Sequence, residues 1–224
     1  VVLRITAHAN ILMSDNCRIS SDYFSIAREK LRSYFSCPVI LIQGAAGNVK
    51  PVGVHKIFGR KISDLERIAD ILVDSAKGLE FKLDNIEDVR MFSREINYIS
   101  DVPSETEAQR IAQEALNTCG IDGANWLGEC ERLRKAGINT QTLQGELQFF
   151  KLNNGCFCGV PEEIFAEIAI EVQEKVNDPL VFFNGYTNGC TGYLPHMEEW
   201  EKGGFETLYS YLTYYPFHGH VMPF

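Results

Sequence analysis

The stretch that most constrains this chain runs from Pro38 to Pro51. Val39-Ile40-Leu41-Ile42 is an unbroken β-favouring apolar run that suits a strand buried on both faces, and Gly44-Ala-Ala-Gly47 ends it abruptly. Gly44 and Gly47 lack a Cβ, so the chain can turn sharply there and bring bare backbone amides beside a substrate group. Asn48, Val49 and Lys50 follow, and Pro51 stiffens the exit. An ordinary strand-to-helix corner would carry the same pattern.

The flanks of this stretch predict a β-α-β unit. From Val1 to Ala7, Leu3, Ile5 and Ala7 alternate with Arg4, Thr6 and His8, as in a half-buried strand with His8 at its end. A strand-end imidazole can be a ligand, a base or a structural hydrogen-bonding group. Ser20-Ser21-Asp22 supplies N-cap candidates for a helix whose apolar face is Phe24, Ala27, Leu31 and Phe35. That helix leads straight into the central strand.

Further along, residues 52–60 read as a loop carrying His55, and Ser63-Asp-Leu-Glu66 as a capping box. The helix it opens places Leu65, Ile68, Leu72, Ala76 and Leu79 on one face. Asp88–Ile99 reads as a strand. Ser104-Glu-Thr-Glu107 is a second capping box, continued by Ala108, Ile111, Ala115 and Cys119, and Asn125–Lys135 is a helix ended by Gly137. Both carry charge outward, as a solvated layer does. Thr140–Leu152 alternates as a strand with one wet or shared face, and Cys156–Val160 is a shorter one.

Pro161-Glu162-Glu163 is expected to begin a helix marked by Phe165, Ile168, Val172 and Val176, its acids favourable with the helix dipole. Pro179–Phe183 is another strand, and it runs into a loop, Asn184 to Pro195, dense in Gly, Asn and Tyr, as ligand-facing loops often are. His218-Gly-His220 could bind metal, but nothing nearby completes a ligand set. The alternation of elements predicts an α/β fold with a mixed or mostly parallel sheet between helix layers.

Composition narrows the function. The 224 residues carry a net charge of −9 with no basic run, which argues against a partner held by nucleic-acid phosphates and against a polybasic membrane anchor. No apolar run approaches the roughly 20 residues needed to cross a bilayer. Seven cysteines, an odd count without a CxxC pair, fit a reducing compartment, and the expected location is the cytoplasm. Cys156 and Cys158 could share one strand face as free thiols.

Four segments together resemble the catalytic domain of the neutral/alkaline, non-lysosomal ceramidases and their bacterial relatives. Ala7-His8-Ala9 with Ile19-Ser-Ser-Asp22 is similar to that family's second zinc-histidine segment, and Gly47-Asn48-Val-Lys50-Pro51 to its nucleophile loop. Gly159-Val-Pro-Glu162-Glu163 is similar to its Pro-Gly-Glu metal segment, and Asn188 to Tyr193 through Gly204-Phe205-Glu206 to its metal-binding Tyr segment. The order and approximate spacing are the family's, from about residue 5 to residue 206.

The resemblance implies one domain over residues 1–224, incomplete at its N-terminus, with His8, Glu163 and Tyr193 as zinc ligands and a further His upstream of Val1. It implies substrate contacts at Gly44, Gly47, Asn48 and Phe205, and a zinc-bound water that attacks the carbonyl of a lipid-like or other small-molecule amide.

Two departures qualify it. Lys50 stands where the family has its loop serine, with Asn48 in place of the preceding Asp, and Phe205 replaces a second tyrosine. An ammonium cannot accept a hydrogen bond, but Lys50 could stabilise an oxyanion or grip an anionic group, so the expected substrate is not ceramide. The alternative is a hydrolysis-inactive binding module for an amphiphilic or anionic ligand. A phosphate-binding loop at residues 44–50 is a third reading, but GxxxxGK[ST] is not met.

Overall fold

Strands β1 (Val2–Ile5) and β2 (Ile40–Gln43) pair in parallel, Val2 opposite Ile40 and Ile5 opposite Gln43, with helix α1 (Tyr23–Phe35) as the crossover. The computed structural model describes residues 1–12, 16–52, 62–80 and 84–213. Expectations for His55 and for His218-Gly-His220 fall outside these residues. Asp22 caps α1: its Oδ1 accepts the Tyr23 amide at 2.9 Å, while Oδ2 accepts the Leu12 amide at 2.9 Å. Tyr23, which the expected apolar face omits, is buried with Ala27 and Leu31.

Helix α2 (Ile62–Lys77) buries Leu65, Ile68, Ala69, Val73 and Ala76 against α1, with Leu3, Ile5 and Leu41 packed beside them. It already runs through Ser63, so the expected capping box lies inside the helix, and Leu79 is exposed beyond its end. Strand β2 is not buried on both faces. It belongs to a two-stranded sheet with helices on one side, and Ile40 is left 59% exposed.

A larger mixed sheet has the order β3 (Val89–Asp101), β4 (Thr140–Leu152), β5 (Gly155–Gly159), β7 (Val181–Asn184). The first three strands are antiparallel, and β5 runs parallel to β7. Helices α3 (Glu105–Cys119) and α4 (Ala124–Lys135) lie between β3 and β4 in sequence and form a separate core of Ala108, Ala112, Ala115, Trp126 and Cys130 with Tyr209 and Leu212. Ser104 Oγ accepts the Glu107 amide at 3.2 Å, as the capping box requires. Among the described residues no helix is long and apolar enough to cross a membrane.

The expected helix start at Pro161–Glu163 is replaced by a strand. Strand β6 (Glu163–Ile164) pairs in parallel with β8 (Tyr193–Leu194), and helix α5 (Ala166–Val176) begins only after Phe165. The reason is that this backbone is engaged on both edges. Glu163 and Phe165 donate to Gly192 O at 2.8 Å and Leu194 O at 3.0 Å, while Ile164 O accepts the Gly47 amide at 2.8 Å. Short helices α6 (Met197–Trp200) and α7 (Phe205–Leu208) complete the α/β fold.

Candidate functional site

Three local devices bring distant residues together. The Glu163–Tyr193 register of β6 and β8 sets a carboxylate beside a phenol. His8 just follows β1, where its amide donates to Val49 O at 2.9 Å. The residue before it, Ala7, is fixed from two sides, its carbonyl accepting from Tyr23 Oη at 3.0 Å and from Gln43 Nε2 at 3.1 Å. The result is that His8 Nε2 lies 3.8 Å from Glu163 Oε2, with both side chains largely buried. The Tyr193 ring meets the His8 ring edge to face, 6.5 Å between centroids.

Tyr186 joins this group although no sequence motif singled it out. Its hydroxyl is 3.0 Å from Glu163 Oε2 and 3.3 Å from His8 Nδ1. Burial and then the neighbouring Glu163 charge push its phenol far above the usual range, so it stays protonated and donates. Cys190 Sγ approaches Glu163 Oε1 at 3.6 Å, and burial followed by the same carboxylate raises its thiol. The sequence signal for Tyr186 is membership of the Gly- and Asn-rich loop after β7, and Cys190 lies within the Asn188–Tyr193 segment of that loop.

The neighbouring Glu162 faces elsewhere. It is 1% exposed and accepts from Tyr98 Oη at 2.8 Å and Thr191 Oγ1 at 2.7 Å. Two hydroxyl donors satisfy a carboxylate that would otherwise be costly to bury.

The glycine loop is tightly packed at the positions where a substrate contact is expected. Gly44 and Gly47 are buried. A Cβ on Gly44 would collide with Thr6 Oγ1, and one on Gly47 with the Glu163 carbonyl and, at 2.8 Å, with Ile164 O. Asn48 spends both side-chain atoms on α5, Oδ1 accepting the Ala166 amide at 2.9 Å and Nδ2 donating to Glu167 Oε2 at 2.7 Å. Lys50 is exposed at the loop's outer edge, with Nζ 3.9 Å from Glu206 Oε1. Phe205 meets the Tyr193 ring edge to face at 6.4 Å.

The donor chemistry of this group fits zinc, which accepts imidazole nitrogen and carboxylate or phenolate oxygen. Two donors at zinc bond lengths in a tetrahedral set lie about 3.4 Å apart, near the spacing of His8 Nε2 and Glu163 Oε2. Among the described residues no three His, Cys, Asp or Glu side chains gather as a metal-holding group. A set completed by a tyrosine holds only two of those types.

No protein-family model and no curated protein matches the chain. Among solved structures, neutral ceramidase from Pseudomonas aeruginosa covers 92% of this chain at a TM-score of 0.60 and 15% identity, over 40% of its own length. A ceramidase complexed with C2 covers 92% at a TM-score of 0.59 and 15% identity, over 41% of its own length. The chain therefore spans about two fifths of each of these structures. Identity this low speaks for architecture alone. On that ground the chain carries the fold of the neutral ceramidases.

Proposed function

We propose that this chain forms the core of a zinc-dependent hydrolase of an amide or related bond, acting on a lipid-like or other small-molecule substrate that is not ceramide. The observation that carries the reading is the meeting of His8, Glu163 and Tyr193, three residues from separate parts of the chain, with His8 Nε2 only 3.8 Å from Glu163 Oε2. These three would hold the metal together with a histidine from sequence preceding Val1. Zinc, when bound, would supply a Lewis acid that lowers the pKa of water and polarises a carbonyl.

The chain's own residues have separable tasks. Glu163 and His8 bind, and Tyr193 closes the ligand set. Lys50 offers positive charge at the edge of the site, where it favours a developing oxyanion or an anionic substrate group. Phe205 presents an apolar edge to Tyr193 and has no proton to give. Metal analysis of the full-length protein should find one zinc per chain, and Glu163→Ala should abolish both zinc retention and hydrolysis of a fluorogenic acyl amide. Hydrolysis that persists in metal-stripped protein would overturn the reading.

A second reading, a binding module without turnover, is favoured by Lys50 and Phe205. The ammonium is within ion-pair distance of Glu206, and Phe205 has no hydroxyl to take part in chemistry. Saturable binding of an amphiphilic amide with no zinc-dependent cleavage would support it, and cleavage would remove it.

A further inference from the structure

Tyr186 bridges the imidazole and the carboxylate, and protons can be counted across that bridge. A phenol has one hydrogen to donate. Glu163 Oε2, at 3.0 Å, can only accept when ionised and draws a charge-assisted bond, so the Tyr186 hydrogen goes there. The Tyr186 oxygen can then only accept at 3.3 Å from His8 Nδ1, which places the ring hydrogen on that nitrogen. In a neutral imidazole this leaves Nε2 with a lone pair. Nε2 faces Glu163 Oε2 at 3.8 Å and Gly47 O at 3.3 Å, two groups that can only accept, so this point calls for a cation or, failing one, for a hydrogen on Nε2 itself.

We infer that Tyr186 is a positioning residue that sets the tautomer of His8, keeping hydrogen on Nδ1 so that Nε2 is presented beside Glu163 as a donor atom. The use of this arrangement rests on the zinc reading above, whereas the hydrogen-bond relay does not. The backbone supports a dedicated placement. Tyr186 has φ 58°, a left-handed conformation that bulky residues rarely adopt, and such strain persists only where the surroundings enforce it. They do so here. The Tyr186 amide donates to Glu162 O at 3.1 Å, and a Cβ on the preceding Gly185 would lie 2.5 Å from that same oxygen. Metal-binding histidines commonly give their second ring N–H to an outer partner; here that partner also holds the carboxylate ligand.

The test is nitrogen NMR of isotope-labelled histidine in the full-length protein, stripped of metal, at about pH 8, where an ordinary imidazole is neutral. Wild type should show His8 with hydrogen on Nδ1. Tyr186→Phe should move it to Nε2, from which it can reach Gly47 O, and should weaken zinc binding by about 10–100-fold. Wild-type His8 with hydrogen on Nε2 overturns the inference whether or not the variant folds. So does a Tyr186→Phe protein that keeps the Nδ1 tautomer or binds zinc as tightly as wild type. Wild type that binds no zinc but has the Nδ1 tautomer, lost in Tyr186→Phe, removes the hydrolase reading and leaves the tautomer assignment standing.

Discussion

Asn48 and Ala166, 118 residues apart, are joined by a 2.9 Å hydrogen bond from the Ala166 amide to Asn48 Oδ1. The N-cap residue of α5 is Phe165, which has no side-chain acceptor, so Asn48 performs the capping from another part of the chain. Asn48→Ala should cost about 1–2 kcal/mol of stability, read from denaturant melts. Asn48→Asp keeps the acceptor but sets a second carboxylate against Glu167, so Glu167→Gln should rescue it. An Asn48→Ala protein as stable as wild type would show that the cap contributes nothing.

Gly47 lies against the backbone of β6, the strand that carries Glu163. Gly47→Ala must push two main-chain segments apart rather than turn a flexible side chain. The expected loss is about 3 kcal/mol, the upper end for overpacking, together with weakened metal retention. Gly128→Ala, where a Cβ meets nothing within 4 Å, is the control and should be neutral or slightly stabilising.

Tyr98 and Thr191 both donate to the buried Glu162. Removing the acceptor strands two hydroxyls, so Glu162→Ala should destabilise more than Tyr98→Phe, which deletes one donor at about 1–3 kcal/mol. Thermal melts of the two variants and their combination test this. Additive losses would contradict the shared bond, because a common partner makes the combined cost smaller than the sum.

Alkaline pH should weaken the fold. Burial raises the Tyr23 and Tyr98 phenols, helped by Asp22 for the first and Glu162 for the second, above their ordinary value of 10.0. The folded state therefore holds protons that the unfolded chain releases, so this contribution is complete below about pH 10 and is lost as pH rises further. Urea midpoints measured across that range should fall, with a shallower slope in Tyr98→Phe. Cys158, pushed up to about 12 chiefly by burial, should resist alkylation until the protein unfolds.

Lys50→Met should separate stability from recognition. The Lys50–Glu206 pair is partly exposed, and pairs of that kind contribute about 0–1 kcal/mol. The melting temperature should scarcely change while affinity for an anionic amide falls. Unaltered binding of anionic and neutral ligands alike would take Lys50 out of the site.

Local signals in the sequence were strong where one element decides its own state. The span expected at Thr140–Leu152 is that of β4, with exposure alternating from Thr140 to Leu147 and levelling off beyond, and Ser104 caps α3 as its motif predicts. What stayed hidden depends on partners far along the chain. Glu163 reads as a helical first turn because acids favour that position, but the Glu163 amide donating to Gly192 O on one edge and the Ile164 carbonyl accepting from Gly47 on the other outweigh the dipole. His8, Glu163 and Tyr193 could be named from the family likeness, and the structure places them in one neighbourhood. Tyr186 could not, since one aromatic in a glycine-rich loop carries no period or motif that says where its hydroxyl points. That Asn48 also caps α5 could not be read either, since the Ala166 amide is 118 positions away.

The two consecutive glutamates are chemically identical, yet the extended backbone sends Glu162 to Tyr98 and Thr191 while Glu163 turns to His8 and Tyr186. Their roles are distinguished by parity alone. Deleting or inserting a single residue between Gly159 and Glu162, where it shifts this segment by one place, would turn each glutamate to the opposite face with every acidic charge conserved. The length of that short connector, more than its composition, is what a designer altering this region must leave untouched.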